Sequence, residues 1–596
     1  MTSNFYEDIN TNLEKEMSKD TGKISSPADK KSRSFEHIDH DLENNVEIVT
    51  SEDEKGLKRQ LKPRHMQMIA IGGCVGTGLF VGSGNALADG GPASIIIAFT
   101  VIGLYVIFTT SALAELSVLY PVSGSFYTYF SRFIDPAWGF AVGIQYWLSF
   151  AVTVPLELTV APLIINVWHA PGRASVWISV FYVLIIGINI WGTKGYGEVE
   201  FVLSIVKLVA VFGFLLLSII ITAGGVPTDT RGVIGVSYWK PPLTFNNGIK
   251  GFCAVLVIAI FSLSGTELVG LAAAEAKDPH KTIPKAVRQI FWRIILFYVL
   301  ALFMLTLVIP SNNPHLRTSG DSEALLSPFV IAIKLANIKA LPSVMNAVIL
   351  SSTLSVGNSA SYAASRALFA LAKNGFAPKF LLKTNKRGHP IYAIIITLSL
   401  GSIAYFTEAG VGGALFGWLL SICGLSTTFI WGSICLSHLQ FRRAWKAQNH
   451  SLEELPYLSM FGVYGSVYGV VMTFLALAAQ LYVAIFPIDR APNPISFFQA
   501  YLAAPLLVIS YVSWKLLKKT RIVNIKEINL EDGMQIEPDI EQQIEEKPSD
   551  EDLLPMAPSK LASDESSQSS GIWQDKDATT IVTPEPIWPN KSLNKK

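Results

Sequence analysis

The chain alternates between long apolar runs and short polar connections. Twelve of the apolar runs are long enough to cross the roughly 30 Å hydrocarbon layer of a membrane as helices. They cover residues 66–87, 93–117, 138–168, 174–191, 199–224, 249–275, 291–310, 341–371, 390–406, 412–438, 463–487 and 496–516. Two of these runs exceed a straight span, which predicts tilted helices or helices that continue beyond the bilayer. The pattern predicts an all-α polytopic membrane protein with 12 transmembrane helices.

The charged residues divide the 596-residue chain in the same way. Residues 1–60 hold 23 of the 93 charged residues and residues 518–596 hold 26, which leaves 44 for the 457 residues of 61–517. Soluble chains are about 25% charged, and a body this poor in charge cannot cover itself with a water-soluble surface. We therefore expect one transmembrane domain, 61–517, between two soluble tails. The net charge of +1 gives no reason to expect a nucleic-acid partner.

Both tails have the composition of disordered segments. They mix charges with small polar residues, and the second contains acidic runs and a serine cluster. Such segments cannot bury enough apolar surface to fold alone. Lysine and arginine are concentrated in the short loops on the side of both termini, which predicts cytosolic tails. The tails are either merely solvated or regulatory, with ubiquitin-ligase adaptors as partners. The candidate ubiquitination sites are Lys15, Lys19, Lys23, Lys30 and Lys31.

The first span contains an unusual group of glycines. Gly72, Gly73, Gly76 and Gly78 fall in the middle of an apolar run. Each weakens a helix by about 1 kcal/mol relative to alanine, so the group favours an unwound stretch. Unwound backbone at membrane depth is tolerated where it lines a cavity, and its free N–H groups can bind an anion such as a carboxylate. The alternative is close packing of helices through small residues.

A second interruption lies in the sixth span, at Phe261-Ser-Leu-Ser-Gly-Thr-Glu267. Gly265 lies 189 residues after Gly76, and each break falls in the first helix of a group of five. Paired interruptions at matching positions of two halves are the best sequence indication of a transporter site. The pairing predicts that spans 1–5 and 6–10 are inverted repeats, with two helices added.

Three charged residues lie within spans: Glu157, Lys207 and Glu267. A charge at membrane depth is costly, so such residues are functional candidates by default. No cluster of oxygen ligands indicates a sodium site, which makes proton coupling the simpler interpretation. Each residue could instead make a structural hydrogen bond to a neighbouring helix. The polar stretches Ser351–Ser359 and Gly417–Ser426 could line a cavity.

Several motifs together make the sequence recognisable. They are Leu61-Lys-Pro-Arg-His-Met, the Gly-Thr-Gly stretch at 76–78, Tyr120-Pro-Val-Ser-Gly-Ser-Phe, Gly195-Tyr-Gly-Glu-Val-Glu-Phe, Glu267-Leu-Val-Gly-Leu-Ala-Ala-Ala-Glu275, Leu354-Ser-Val-Gly-Asn-Ser and Ser437-His-Leu-Gln-Phe-Arg442. In this order and spacing, from about residue 61 to 526, the chain resembles fungal amino-acid permeases of the amino acid–polyamine–organocation superfamily. It is closest to the general amino-acid permeases. It departs from them at its C-terminus, which ends in Pro589-Asn-Lys-Ser-Leu-Asn-Lys-Lys596 instead of Phe-Trp-Cys.

The resemblance implies a leucine-transporter-like 5+5 inverted-repeat fold in the plasma membrane that imports amino acids with protons. It also implies roles for residues that match the family's motifs. The substrate carboxylate would meet Gly76, Thr77 and Gly78, and the amino group would meet Phe261, Ser262 and Ser264 beside Gly265. Positions linked to side-chain choice or to the cavity match Ser149, Cys423, Ser355 and Val356. Glu157 and Glu267 match acidic positions tied to coupling, and Lys207 matches a lysine thought to replace a sodium ion.

These observations predict a proton-coupled amino-acid symporter of broad, mainly neutral range. The proton gradient is the driving force, and we expect no cofactor, no metal and no enzymatic activity. Membrane enzymes usually carry paired His or Asp clusters, and none of the nine histidines forms such a pair within a span. Two alternatives stay open. One is a permease of narrower specificity, for example for basic amino acids or proline. The other is an amino-acid sensor with little transport.

Overall fold

The computed structural model describes residues 63–73, 75–121, 125–169, 172–272, 278–316, 327–385, 388–488 and 491–534. The N-terminal tail with its candidate ubiquitination sites, and the chain from 535 onward, lie outside the described residues. Within these ranges the regular structure is helical, apart from one isolated bridge between Thr384 and Pro390. The expected all-α architecture is confirmed.

Seventeen α-helices are used below and numbered in chain order. They are α1 (Pro63–Gly72), α2 (Ser83–Leu119), α3 (Ser125–Phe133), α4 (Pro136–Ile165), α5 (Ala174–Trp191), α6 (Thr193–Thr222), α7 (Gly248–Leu263), α8 (Leu268–Ala272), α9 (Pro279–Arg293), α10 (Ala301–Val308), α11 (Pro328–Leu335), α12 (Leu341–Lys373), α13 (Ile391–Ser399), α14 (Gly412–Ala447), α15 (Gly462–Ile485), α16 (Pro494–Tyr501) and α17 (Ala503–Lys518). A π-helical turn, Gly78–Gly82, leads into α2, and another, Ile294–Leu300, joins α9 to α10. A 3₁₀ helix, Leu400–Ala409, extends α13.

All twelve predicted runs lie on helical segments, but they do not all become separate long apolar helices. Nine helices of the described chain are long and apolar enough to cross a membrane, or ten if α16 and α17, bent by 58°, form one span. The first run is split between α1 and the turn before α2. That turn continues into α2, which also contains the second run. The two runs therefore share one helical segment, kinked at Gly91. The eighth run forms the 33-residue α12 but is too polar to pass as a span on composition.

Burial separates a central group of helices from a peripheral one. In the most apolar stretch of each helix, the share of buried residues is 78% for α4 and 72% for α14. The share is only 17% for α5 and 28% for α15. The exposed side chains of the peripheral helices are large and apolar, such as Val183 of α5 and Phe474 of α15. Apolar surface of this extent faces lipid in a membrane protein. The chain is therefore a multi-pass membrane protein with a tightly packed centre.

Residues 519–534, which the sequence analysis assigned to a disordered tail, pack against the transmembrane domain. Tyr120 donates its hydroxyl to the Leu530 carbonyl at 2.7 Å, and Gln448 donates to the Ile528 carbonyl at 2.8 Å. Ile528 and Leu530 are buried. The packed chain therefore extends beyond the predicted boundary at 517. The sequence pattern missed this because the apolar side chains of the segment are interspersed with charged and polar ones and give no helical period.

Asp135 connects this segment to the start of α4, and we expect Asp135→Asn to loosen it at neutral pH. The carboxylate accepts hydrogen bonds from Thr520 at 3.0 Å, from Tyr511 at 3.1 Å and from Lys515. Hydrogen bonds to a charged group contribute about 1.5–3 kcal/mol each. Hydrogen exchange at the Val523 amide, which donates to the Ile134 carbonyl, measures the loosening. Asp278→Asn makes the same change of charge at the N-cap of α9 and should leave that amide unchanged.

The same carboxylate predicts a pH dependence. Burial opposes its ionisation, but hydrogen bonds from Lys515, the Ala137 amide and Thr520 lower its pKa below the ordinary value of 3.8. A carboxyl with a lowered pKa stabilises the fold above its ordinary pKa, and this contribution is lost as the pH falls through the lowered value. Protection of the Val523 amide should therefore stay constant from about pH 8 to pH 5 and fall only in stronger acid. A loss of protection between pH 8 and pH 5 would contradict this assignment.

Candidate substrate site between two broken helices

The first break separates α1 from the π-helical turn at Gly78. Helix α1 ends at Gly72, the Val75 amide donates back to the Gly72 carbonyl, and a new helix begins at Gly78 with Thr77 as its N-cap. The first N–H groups of a helix have no partner within it. Thr77 makes no side-chain cap hydrogen bond. These amides therefore form a partially positive end at membrane depth.

The second break separates α7 from α8. Helix α7 ends at Leu263, Ser264 is extended with φ −61° and ψ 157°, and Gly265 has a φ of 83°. That φ lies in the left-handed region, where glycine is favoured. Tyr298 donates its hydroxyl to the Ser262 carbonyl at 2.8 Å and so holds the end of α7 in place. The last carbonyls of α7 form a partially negative end.

The two breaks lie directly against each other. A Cβ atom placed on Gly78 would come 2.5 Å from the Ser262 Cα atom, and one on Gly76 would overlap the Val356 side chain of α12. Both interpretations of these glycines, an unwound stretch and close packing of helices, therefore hold. The backbone is unwound, and it is also packed so closely that no side chain fits.

A cavity opens beside the two breaks, and its empty space together with the open solvent at its mouth is about 540 Å³. Ten of the eleven predicted substrate residues line it. Its full lining is Gly73, Gly76, Thr77, Gly78, Ser149, Phe150, Thr153, Glu157, Phe261, Ser262, Ser264, Gly265, Leu268, Val356, Ser359, Ala360, Cys423 and Thr427. Residues from the two breaks and from three long helices, α4, α12 and α14, thus converge on one space.

Glu157 of α4 is an acidic residue of the cavity wall. Thr77 donates its hydroxyl to Glu157 Oε1 at 2.8 Å, so the carboxylate is tied to the first break. Its other oxygen, Oε2, is buried and has no hydrogen-bond partner in the described part of the chain. A buried carboxylate oxygen without a partner is costly, so a bound proton or a cationic group would stabilise it.

Lys207 of α6 lies behind the first break rather than in the cavity wall. Its ammonium group donates to the Gly72 carbonyl and to Ser355 Oγ, both at 2.7 Å. Ser355 in turn donates to Glu200, at 2.7 Å from each carboxylate oxygen. Ser355 is the one predicted substrate residue that the cavity lining does not include. Its hydroxyl bridges two buried charges instead.

Glu267 follows the second break and does not line the cavity. Its carboxylate is fully buried and accepts a hydrogen bond from Trp431 Nε1 of α14 at 3.0 Å. Its second oxygen, Oε1, has no hydrogen-bond partner among the residues described. Glu267 therefore links the second break to α14.

Comparison with known proteins decides the family. The family described as amino acid permease matches residues 65–527, which include α2 to α17 and all but the first two residues of α1. The chain belongs to the amino acid permease family. The resemblance inferred from the sequence motifs is thereby confirmed, and the expected multi-span fold agrees with it.

Similar proteins extend this permease assignment over most of the chain. The probable amino-acid permease meu22 of Schizosaccharomyces pombe is 74% identical over 89% of this chain and 93% of its own length. Cationic amino acid transporter 1 of the same yeast is 49% identical over 84% and 85%. The amino-acid permease inda1 of Hypocrea atroviridis is 46% identical over 80% and 84%.

Sequence reasoning missed several residues that complete the permease site. Glu200 lies seven residues before Lys207 on α6, and Thr153 lies midway between Ser149 and Glu157 on α4. Both spacings put the residues on one helix face, so a search at helical period would have found them. Tyr298 and Trp431 gave no such signal, because they reach the breaks from other parts of the chain.

The wall formed by α4 and α14 predicts side-chain selectivity. Cys423 Sγ lies 3.3 Å from both the Ser149 carbonyl and Thr153 Oγ1. Replacing this small side chain with leucine would fill cavity space. We expect Cys423→Leu to weaken uptake of large amino acids about tenfold or more while glycine and alanine lose little, since filling a packed site costs about 1–3 kcal/mol. Cys435→Leu is not a suitable control, because Cys435 is also fully buried. Cys253→Leu, at a half-buried position, serves instead.

A competition series of twenty amino acids against one labelled substrate measures this change in selectivity. Equal loss for small and large amino acids would contradict the assignment of Cys423 to the side-chain wall. Unchanged uptake by Cys253→Leu confirms that added volume alone does not cause the effect.

Proposed function

We propose that this permease is a proton-coupled symporter of the plasma membrane that imports L-amino acids of a broad, mainly neutral range. The observation that carries the proposal is the juxtaposition of two opposite helix ends in one cavity. The helix that begins at Gly78 presents N–H groups, and α7 ends beside it with carbonyl groups. A zwitterionic amino acid carries the matching charges on adjacent groups.

The two ends support one orientation of the substrate. An anion is favoured at a helix N-terminus, so the carboxylate would bind at Thr77 and Gly78. A cation is favoured at a helix C-terminus, so the amino group would bind at the carbonyls of Phe261 and Ser262. The side chain would then extend toward Ser149 and Cys423. This arrangement follows the pattern of transporter sites formed by discontinuous helices.

Proton coupling rests on the buried charges around the breaks. Glu157 is bonded to Thr77 at the first break, Lys207 is bonded to the Gly72 carbonyl, and Glu267 follows the second break. A change of protonation at any of them changes a contact that holds a break in place. Protonation and substrate occupancy are thereby linked to the same backbone.

Alternating access follows from the same geometry. The contact of the two breaks supports an inverted-repeat transporter in which one group of helices rocks against the other. Phe261 lines the cavity beside the second break, and its ring is our candidate gate over the substrate. Rocking would expose the cavity first to the outside and then to the cytosol.

A narrower range, for cationic amino acids, is the second candidate. Glu157 Oε2 faces no hydrogen-bond partner within the described chain and could bind a cationic side chain. One relative, 49% identical, is named a cationic amino acid transporter. A second acidic cavity residue would strengthen this candidate, but Glu267 is bonded to Trp431 outside the cavity lining.

Uptake into proteoliposomes tests the function. Purified full-length permease should accumulate labelled leucine when the lumen is alkaline, and a protonophore should abolish the accumulation. Leucine that only equilibrates would refute proton coupling, and no uptake of any amino acid would favour a sensor. Competition by arginine that exceeds competition by all neutral amino acids would favour the cationic range.

A further inference from the structure

A buried group of polar side chains behind the first break contains an acidic residue that the proposed mechanism does not yet use. Glu200 of α6 is fully buried, and its carboxylate lies 3.7 Å from the Lys207 ammonium group. Ser355 of α12 lies between them. It accepts from Lys207 at 2.7 Å and donates to Glu200 at 2.7 Å. The three side chains form a continuous hydrogen-bonded chain from an acid to a base.

We propose that Glu200 is the proton acceptor of Lys207 and that Ser355 relays the proton between them. This inference rests on the proposed proton symport and adds the route by which the proton leaves. The route begins at the first break, because Lys207 also donates to the carbonyl of Gly72, the last residue of α1. The protonation state of Lys207 therefore acts directly on the first break.

The transfer balances with one proton and no other reactant. An N–H bond of Lys207 breaks and its proton goes to Ser355 Oγ, while the Ser355 O–H bond breaks and its proton goes to Glu200. The ammonium becomes a neutral amine, the carboxylate becomes a neutral acid, and the serine is unchanged. Conversion of an ion pair into a neutral pair removes two charges from the membrane interior, where isolated charges are costly.

The surroundings of Glu200 keep its carboxylate ionised and so able to receive a proton. The hydroxyls of Ser204 and Ser359 lie 3.3 Å from it, in addition to that of Ser355. Because these hydrogen bonds favour the charged carboxylate, they favour onward release of the proton from Glu200 rather than its retention. Glu200 also lies seven residues nearer than Lys207 to the start of α6, the end that we place in the cytosol. A proton on Glu200 is therefore closer to its exit.

Other charged groups near this route each hydrogen-bond to a different residue. Arg64 and His65 of α1 lie 2.5 Å and 3.2 Å from Glu198 at the start of α6. Glu157 of α4 accepts from Thr77 on the other side of the break. Arg366 of α12 donates to Thr193 at 2.7 Å. Within the described residues, Glu200 is the acidic group that hydrogen-bonds to the relay serine.

The test separates release of the proton from movement of the substrate. In proteoliposomes, an alkaline lumen drives accumulation, which requires release of the proton on every cycle. Counterflow, in which external labelled leucine exchanges with internal unlabelled leucine, requires only that the loaded carrier change its access. A permease that cannot deprotonate should still exchange. Labelled arginine replaces leucine in both assays if the wild type prefers cationic amino acids.

We expect Glu200→Gln to lose accumulation by about 100-fold or more, as for removal of an acid–base group, while counterflow stays within about twofold of the wild type. Ser355→Ala should behave in the same way, and Ser355→Thr, which keeps a hydroxyl, should restore accumulation. Glu198→Gln, on the same helix but paired with Arg64, should retain both activities.

Two results would overturn the proposal. Normal accumulation by Glu200→Gln would show that the proton leaves by another route. Loss of counterflow together with accumulation would show that Glu200 only holds the helices together. Failure of the proposed symport is recognisable separately, because the wild type itself would then exchange leucine without accumulating it.

Discussion

Uptake by a Gly78→Ala variant is expected to fall sharply although the protein still reaches the membrane. The added methyl group would lie 2.5 Å from the Ser262 Cα atom, so the two broken helices must move apart. Overpacking of this kind costs about 1–3 kcal/mol, which corresponds to about 5- to 150-fold in an equilibrium. The loss appears in transport because the displaced backbone is the proposed binding surface. Initial uptake of labelled amino acid, normalised to surface protein, measures it.

Gly213→Ala provides a matched control. Gly213 lies in α6, and a Cβ atom there would have no atom within 4 Å. An alanine at this position also improves helix propensity, by about 1 kcal/mol. Uptake should stay at the level of the wild type. If both variants retained full uptake, the close contact between the two breaks would not be required for transport.

Replacement of Glu267 is expected to have an effect of similar size through a different contact. Glu267→Ala leaves the buried Trp431 N–H without its acceptor, and an unsatisfied buried donor costs about 1–3 kcal/mol. It also removes a carboxylate that follows the second break. We expect uptake to fall to background while the protein remains at the cell surface.

Glu267→Gln distinguishes the two contributions of this residue. The amide can still accept from Trp431 but cannot ionise. If the glutamine variant exchanges amino acid but still does not accumulate it, Glu267 acts in proton coupling. Recovery of both activities would show that only the hydrogen bond matters. Normal uptake by the alanine variant would contradict any role for Glu267.

The sequence predicted the central features of the site because they break local rules. Four glycines in an apolar run and a second interruption in the sixth run oppose helix formation, and both positions are unwound at the cavity. A local conflict with secondary structure is visible in one sequence. The breaks at Gly76 and Gly265 could therefore be predicted without knowledge of the tertiary fold.

Residues whose importance comes from distant contacts could not be placed in this way. Ser355 was expected to face the substrate, but its hydroxyl bridges Lys207 and Glu200, because the rotation of α12 about its axis is set by packing against α4 and α6. The packed segment 519–534 was missed for a related reason. It is held by hydrogen bonds to residues 80 or more positions away in sequence, such as Gln448 and Tyr120.

The number of spans shows the same limit. All twelve hydropathy runs lie on helices, but hydropathy could not show that the first run would split and join the second, because the kink at Gly91 keeps the chain helical on both sides. Helix α12 was predicted as the eighth run, but it is too polar to count as a span by composition. Its serines serve contacts within the protein rather than with lipid. Ser352, for example, donates to the Val75 carbonyl at 2.7 Å.

A structure of the permease with a bound amino acid tests the central claim most directly. The account predicts that the carboxylate lies against the amides at Thr77 and Gly78, and that the amino group lies against the carbonyls of Phe261 and Ser262. The side chain should point toward Ser149 and Cys423. An amino acid bound elsewhere, with the cavity between the two breaks empty at saturating concentration, would contradict the account.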